Sequence, residues 1–353
     1  MLCWREREPK IGRHRDGFLV GAIIRFMKAI VIDESKSDRP LRYADVAEPA
    51  CGESDLLITV KAAALNRADL RRAATHFAAS DKMASLPIAG VELAGEVSAT
   101  GSKVTGFKKG DRVMAMAGGA YAEVATIDYR LALRVPESMD WEQAAATPIT
   151  FVTAHDALTN AAGLRPGEDV FVQGASSGAG IAAVQIARLL GARYVFGTAG
   201  VKAKLEGIRA LGCDIPIDYH SQNFVAVIRE TTGGRGADIV IDLVGSHTAQ
   251  GNVDASAIAG RIVCVGRVAG LEATMNLDEF SRKRIRMIGV TFRTRSMEER
   301  IAAVQSFRDG ILPALGEGKL KPVIDSVFPL SEAAAAQERM RENKHFGKIV
   351  LKV

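Results

Sequence analysis

Cysteine is scarce in this 353-residue chain. There are four, Cys3, Cys51, Cys213 and Cys264, with no CxxC and no Cys/His cluster. Neither a disulfide framework nor a structural zinc site organises such a sequence. The pattern suits a reducing, cytoplasmic compartment, where an unpaired Cys acts as a small core residue. Aromatics are also sparse, at 6%, against 34 glycines, which favours an α/β chain with many tight turns over an all-β sandwich. The composition, 48% hydrophobic and 25% charged, excludes disorder. An excess of one charge is missing too. The net charge is +5, and residues 1–26 supply +3 of it through six Arg/Lys and three acids. The remaining +2 describes no nucleic-acid-binding face.

The N-terminal apolar run, Phe18 to Ile24, is too short to span a bilayer and is followed at once by Arg25. It lacks a small-residue cleavage site, and three acids interrupt the basic stretch, so neither a secretory nor a transit signal is expected. Met27 opens "MKAIVI", a strand-like start. Residues 1–26 therefore read as a mobile extension outside the fold.

The length suggests about two domains. Residues 27–150 are mainly short strands and turns: "LLITVKAAAL" (56–65), "GVELAGEVSATG" (90–101), "KKGDRVMAM" (108–116) and "YAEVATI" (121–127), with one helical stretch near Trp141–Ala157. After Ala145 apolar runs alternate with helix-period segments. "DVFVQG" is followed by a helix from Gly178 to Leu190 with Gly191 as its C-cap. "RYVFGTAG", "ADIVIDLVG", "GRIVCVG" and "RMIGVTF" are further strands. This alternation implies a parallel sheet covered on both faces. The tail holds two helical stretches and a last strand, "GKIVLKV", that returns to the first domain. The expected layout is discontinuous: 27–151 with 293–353, around an inserted 152–292.

Gly174-Ala175-Ser176-Ser177-Gly178-Ala179-Gly180 follows a strand and opens a helix. Glycine permits the tight turn and lets backbone N–H groups approach a pyrophosphate, and the helix N-terminus adds partial positive charge. The spacing is GxxxGxG, and the strand–turn–helix–strand context makes it a dinucleotide site. An NAD site places an acid at the end of the second strand. Here that strand ends Thr198-Ala199-Gly200, and Lys202, Lys204 and then Tyr219 follow before and after the next helix. Cations there suit a 2′-phosphate and favour NADPH over NADH; otherwise the two lysines simply decorate a helix start.

"NRAD" (66–69), "PIAGVELAGEV" (87–97), "KKGDRV", "AAATPITFVTAHDAL" (144–158), the Gly-rich turn and the terminal "GKIVL" together resemble the medium-chain dehydrogenase/reductase superfamily. They are most similar to its zinc-independent, ζ-crystallin-like quinone oxidoreductase branch. The resemblance covers 27–353. It implies an α/β fold: a GroES-like β-rich catalytic domain and a Rossmann doubly wound, parallel-sheet cofactor domain. It also implies NADPH as cofactor, a homodimer joined through edge strands, and no metal. Zinc-dependent members place Cys where this chain has Asn66, and Gly-His-Glu where it has Gly90-Val91-Glu92.

Position by position, the resemblance puts Asn66 beside the nicotinamide and the substrate; alternatively it is a turn Asn. Thr153 matches a threonine near the carboxamide, or packs inside its helix. Lys204 and Tyr219 match the pair that holds the 2′-phosphate, although Val201 stands where many members have Ser or Thr. Thr198 and Gly200 belong to the same strand end. Val244, Val265, Gly266 and Arg267 end later strands, where the ligands of a parallel sheet lie. Phe292, Arg293 and Lys348 match cofactor-contacting positions near the cleft; Arg293 serves equally as a surface salt-bridge residue.

The implied chemistry is hydride delivery to an electrophilic acceptor, a quinone or an enone. Many members carry Tyr just after the NxxD segment, where this chain has Leu70-Arg71-Arg72 and then Thr75-His76-Phe77. Arg71 or Arg72 either binds an anionic substrate or is solvated surface. Two other functions fit the same residues: an NADPH-dependent alkenal or enoyl reductase, and a non-enzymatic NADPH-binding structural or regulatory protein. No nucleic-acid or membrane partner is expected.

Overall fold

The computed structural model describes residues 25–33, 40–70 and 87–353. Most of the N-terminal extension and the Arg71–Phe77 stretch lie outside the described residues.

β1 (Phe26–Ile32) and β2 (Leu41–Ala47) pair as an antiparallel ribbon. β3 (Asp55–Ala64), β4 (Glu92–Thr100), β5 (Arg112–Met116), β6 (Val124–Asp128) and β7 (Leu133–Arg134) follow. In β3 the residues Leu56, Ile58, Val60 and Ala62 are buried in alternation, the period-two signature of a strand with one face on the core. The helical stretch after β7 is two helices, α1 (Trp141–Ala145) and α2 (Pro148–His155). The break falls where Pro148, lacking an N–H, can only start a helix.

The alternating segment contains β8 (Val170–Gln173), α3 (Gly178–Leu189), β9 (Val195–Ala199), α4 (Lys202–Ala210), β10 (Ile215–Asp218), α5 (Phe224–Thr231), β11 (Ala237–Asp242), α6 (Ala249–Ala255), β12 (Ser256–Cys264), α7 (Leu277–Arg282) and β13 (Arg286–Gly289). Its six strands are all parallel in the order β10-β9-β8-β11-β12-β13. This is the doubly wound dinucleotide-binding order, with its switch point between β8 and β11. The chain then runs through α8 (Met297–Gly310), α9 (Leu312–Gly316), β14 (Ile324–Pro329), α10 (Ala333–Arg341) and β15 (Lys348–Lys352). β15 pairs antiparallel with β3 and parallel with β14. The first sheet is thereby completed in the order β14-β15-β3-β4-β5-β7, with β6 against β3.

Four strands are not legible in the sequence: β2, the two-residue β7, β10 and β14. β10 is the four-residue Ile-Pro-Ile-Asp, and β14 is half-buried without clean alternation. The apolar run 286–292 gives a strand only to Gly289; Val290 and Phe292 instead turn into the core. A single apolar cluster runs from the first sheet through α2 and α3 to one face of the parallel sheet. A second cluster fills the opposite face of that sheet. Among the described residues no helix is long and apolar enough to cross a membrane.

α6 ends directly against β12, and its last carbonyls need donors. Lys283, 3% exposed, supplies them: its Nζ donates to Val253 O at 2.9 Å, Asp254 O at 2.7 Å and Ser256 O at 3.0 Å. Lys283→Met strands these carbonyls and is expected to cost about 2–3 kcal/mol in urea unfolding. A loss under about 0.5 kcal/mol, the size of a surface change, would show that water already serves them.

Candidate active site

Asn66 lies two residues beyond the end of β3 and opens a short turn, Arg67–Leu70. The turn is closed by its own Asp69: Asn66 N donates to Asp69 Oδ2 at 2.8 Å, and Asp69 N returns to Asn66 O at 2.9 Å. The Asn66 side chain is oriented at both ends. Its Nδ2 donates to Glu92 Oε1 at 2.8 Å and more weakly to Ala64 O at 3.4 Å; its Oδ1 accepts from Lys348 Nζ at 2.9 Å.

Glu92 and Lys348 form the centre of the site. Glu92 is fully buried and Lys348 is 5% exposed. The Lys348 ammonium donates to Glu92 Oε1 at 2.6 Å, to Asn66 Oδ1, and to Leu65 O. An ammonium has three hydrogens, and each has a protein acceptor. Lys348 therefore acts on the site by position, with no donor left over for a ligand. The other oxygen of Glu92, Oε2, accepts from Ile149 N at 2.8 Å. Ile149 is in the first turn of α2, whose own N-cap, Thr147, makes no capping bond and spends its hydroxyl on Gln143 O. A carboxylate from β4 thus caps α2, where negative charge is favourable. Sequence reasoning passed over Glu92. The readable signal was a charged residue inside the apolar stretch "GVELAG", which demands a buried partner.

Tyr121, fully buried, donates to Asp69 Oδ2 at 2.7 Å. Its ring occupies the space a side chain at Gly90 would need, with Cε1 2.7 Å from that Cβ position, and Gly90 has φ +95°. Asp69 Oδ1 is buried with no hydrogen-bond partner. Burial therefore pushes the Asp69 carboxyl up to about 6, against the Tyr121 and Asn66 hydrogen bonds and the Lys348 charge. Burial and the neighbouring Asp69 push the Tyr121 hydroxyl well above its ordinary value.

The Gly-rich turn lies at the end of β8, at the switch point. Gly174, φ +70°, makes the corner, with Val244 Cγ2 3.4 Å from its Cβ position. Ser177 caps α3 by accepting from Gly180 N at 3.2 Å. Gly180 packs against Ala175, whose Cα would lie 2.7 Å from a Cβ there. The first-turn N–H groups of Gly178 and Ala179 have no acceptor among the described residues, the arrangement that receives an anion. These residues fit a dinucleotide pyrophosphate. Thr198 lies behind the turn: its hydroxyl accepts from Gly174 N at 2.9 Å and donates to Gln173 Oε1 at 2.8 Å. It holds the turn in shape.

This turn abuts the Glu92 centre. A Cβ on Gly178 would stand 2.6 Å from Lys348 Cδ and 3.0 Å from Thr150 Cγ2. Gly347 N donates to Ser176 O at 3.1 Å, and Ser177 bridges to Gly347. Thr153 is half-buried one helical turn beyond Thr150.

The remaining positions divide. Tyr219, 55% exposed, crosses Gly200, where a Cβ would meet its Cζ at 2.5 Å. Lys204 Nζ donates to Asn343 O at 2.9 Å. Val244 N and Gly245 N are held by Asp242 Oδ1, and the Val265 and Gly266 N–H groups by Asp242 O, so these strand ends form one hydrogen-bonded corner. Arg267 and Arg293 are exposed. Phe292 is buried beneath the Arg295 guanidinium, 4.6 Å from its ring centre, and serves packing. Among the described residues no three His, Cys, Asp or Glu side chains gather to hold a metal ion. Val91 is apolar, and the cation beside Asn66 is the Lys348 ammonium, so these residues do not fit zinc.

Two families match the chain: the alcohol dehydrogenase GroES-like domain over residues 52–137, and the zinc-binding dehydrogenases over 211–351. The human quinone oxidoreductase is 30% identical over 319 residues, covering 90% of this chain and 94% of that protein. A solved NAD-dependent alcohol dehydrogenase is 34% identical with TM-score 0.81, covering 93% of this chain and all of that one. A mycobacterial protein solved in complex with NADPH is 26% identical with TM-score 0.80, over the same shares.

Two outcomes test this geometry. Lys348→Met and Glu92→Gln each leave a buried group without its partner, and Lys348→Met is expected to cost about 3–5 kcal/mol. The double variant should cost less than the sum by at least about 1 kcal/mol in denaturant unfolding; additive losses would mean the two groups act separately. Asp69 titrates higher folded than unfolded. As pH rises from about 4 to 6 the unfolded chain releases a proton that the folded one keeps, so stability falls across that window. Asp69→Asn should remove the fall in melting temperature; parallel wild-type and variant curves would show Asp69 titrating normally.

Proposed function

The chain belongs to the medium-chain dehydrogenase/reductase superfamily, in its quinone oxidoreductase branch, and on that premise we propose that it is a zinc-independent NADPH:quinone oxidoreductase. One observation carries the reading. The phosphate-binding turn at Gly178 rests directly on Lys348, which holds Asn66 and Glu92. A dinucleotide held on that turn would lie beside the Lys348 network.

The reduced nicotinamide supplies the hydride; the protein supplies placement and exclusion of water. Gly178 and Ala179 N–H groups would hold the pyrophosphate. Lys204 and Tyr219 would hold the 2′-phosphate, and Thr153 would serve the carboxamide. Lys348 and Glu92 fix the Asn66 amide, whose second, weakly held hydrogen donates to the acceptor oxygen as it gains negative charge. A quinone suits this inventory because its reduced oxygen is a stabilised phenolate that takes its proton from solvent. The NADPH-bound relative and the cations after β9 support NADPH; the NAD-dependent relative makes NADH the alternative to test. Zinc independence is supported by the misfit at Asn66 and Val91. A homodimer through β13 is supported by that strand's place at the sheet edge, with Met287 41% exposed. The unpaired Cys51, Cys213 and Cys264 are consistent with a cytoplasmic site.

The test follows absorbance of reduced nicotinamide with a panel of quinones and enals. NADPH oxidation by quinones, insensitive to chelator, is the expected result, with Asn66→Ala lowering kcat/KM about ten- to a hundredfold. Turnover with enals alone would make this an alkenal reductase. Saturable NADPH binding without turnover would make it a binding protein.

A further inference from the structure

β10 lies beside β9 with Asp218 opposite Ala199, so the chain leaving β10 passes the end of β9. That strand end is where a dinucleotide places its adenosine ribose. Tyr219 N donates to Ala199 O at 3.3 Å. The turn that follows is closed by Asp218: its Oδ1 accepts from His220 N at 3.0 Å, its Oδ2 from Ser221 Oγ at 2.8 Å, and its carbonyl from Gln222 N at 2.8 Å.

These bonds place two exposed rings side by side. The centres of Tyr219 and His220 are 4.4 Å apart, with the rings inclined at 50°. Both lie over Gly200. A Cβ there would stand 2.5 Å from Tyr219 Cζ and 2.9 Å from His220 Nε2, so an acidic side chain at this position would displace both rings. An NAD site offers a carboxylate acceptor to the ribose 2′-hydroxyl at the end of this strand. Here the space holds an imidazole nitrogen, which donates when it carries a proton. Such a donor meets an anionic oxygen more strongly than a neutral hydroxyl.

The neighbouring groups have other engagements. Val201, the N-cap of α4, makes no side-chain hydrogen bond. Lys202 lies 3.8 Å from Glu206. Lys204 donates to Asn343 O at 2.9 Å, and it feels Asp325 as well as Arg67. Asp218 is the acid of the turn itself. The His220 N–H, the Ser221 hydroxyl and the His220 imidazole hold its carboxyl below the usual range, so both of its oxygens are already met by the turn's own donors.

We propose that His220 is a specificity-determining residue of the cofactor site, its Nε2 donating to the ribose 2′-phosphate from the space where an NAD site carries its carboxylate. The inference rests on the NADPH reading above and deepens it: the strand end is converted from an acceptor of a hydroxyl to a donor toward a phosphate.

Isothermal titration of the full chain with NADPH, NADH and 2′,5′-ADP tests it. The wild type should prefer NADPH. His220→Ala should weaken NADPH and 2′,5′-ADP about tenfold and leave NADH unchanged. His220→Gln, which keeps an N–H donor, should fall between. A wild type that prefers NADPH while His220→Ala keeps the full preference would overturn the role of His220 alone. Equal weakening of NADH would overturn it too, because the ring would then serve the shape of the turn and not the phosphate. A wild type without preference would overturn the NADPH reading and this inference with it. His220 is exposed, so the variants should melt with the wild type, which separates lost binding from misfolding.

Discussion

The structure depends on where one ammonium group is placed. Lys348 arrives on the last strand, after the chain has built the whole parallel sheet, and its three hydrogens find Leu65, Asn66 and Glu92. Those acceptors come from the end of β3 and the start of β4. Its stem lies in the space that Gly178 leaves open. One residue therefore ties the closing strand of the first sheet to its central pair and to the phosphate turn of the other sheet. The Gly347–Ser176 bond runs alongside and fixes the same junction through backbone.

Energy alone does not explain such a centre. A buried ion pair gives up hydration for attraction, and a well-packed apolar trio often does as well or better. What an apolar trio lacks is direction. Lys348 and Glu92 between them determine which end of the Asn66 amide is acceptor and which is donor, and Glu92 simultaneously terminates α2. The helix carrying Thr150 and Thr153 is thus registered to the amide by a shared carboxylate. A loss at Glu92 would move both, which is why sites are held by residues whose own hydrogen bonds are saturated.

The fold was legible where its signal is local. Period-two burial in β3, the apolar runs of β8, β11 and β12, and Gly178 opening a helix after a strand all lie within about ten residues of sequence. Pro148 divides what reads as one helix, and short strands such as β10 carry too few residues to declare a period. The site was legible only by position. Asn66, Lys204 and the Gly-rich turn were named by position alone, and the partners that hold the centre are distant: Lys348 and Glu92 are 256 residues apart and Asn66 and Lys348 are 282. No window reading joins such pairs. What the sequence does carry is an unpaid demand, a lone Glu in "VELAG" and a lone Lys in "GKIVL". Each is a charge on a buried strand, and each is the answer to the other.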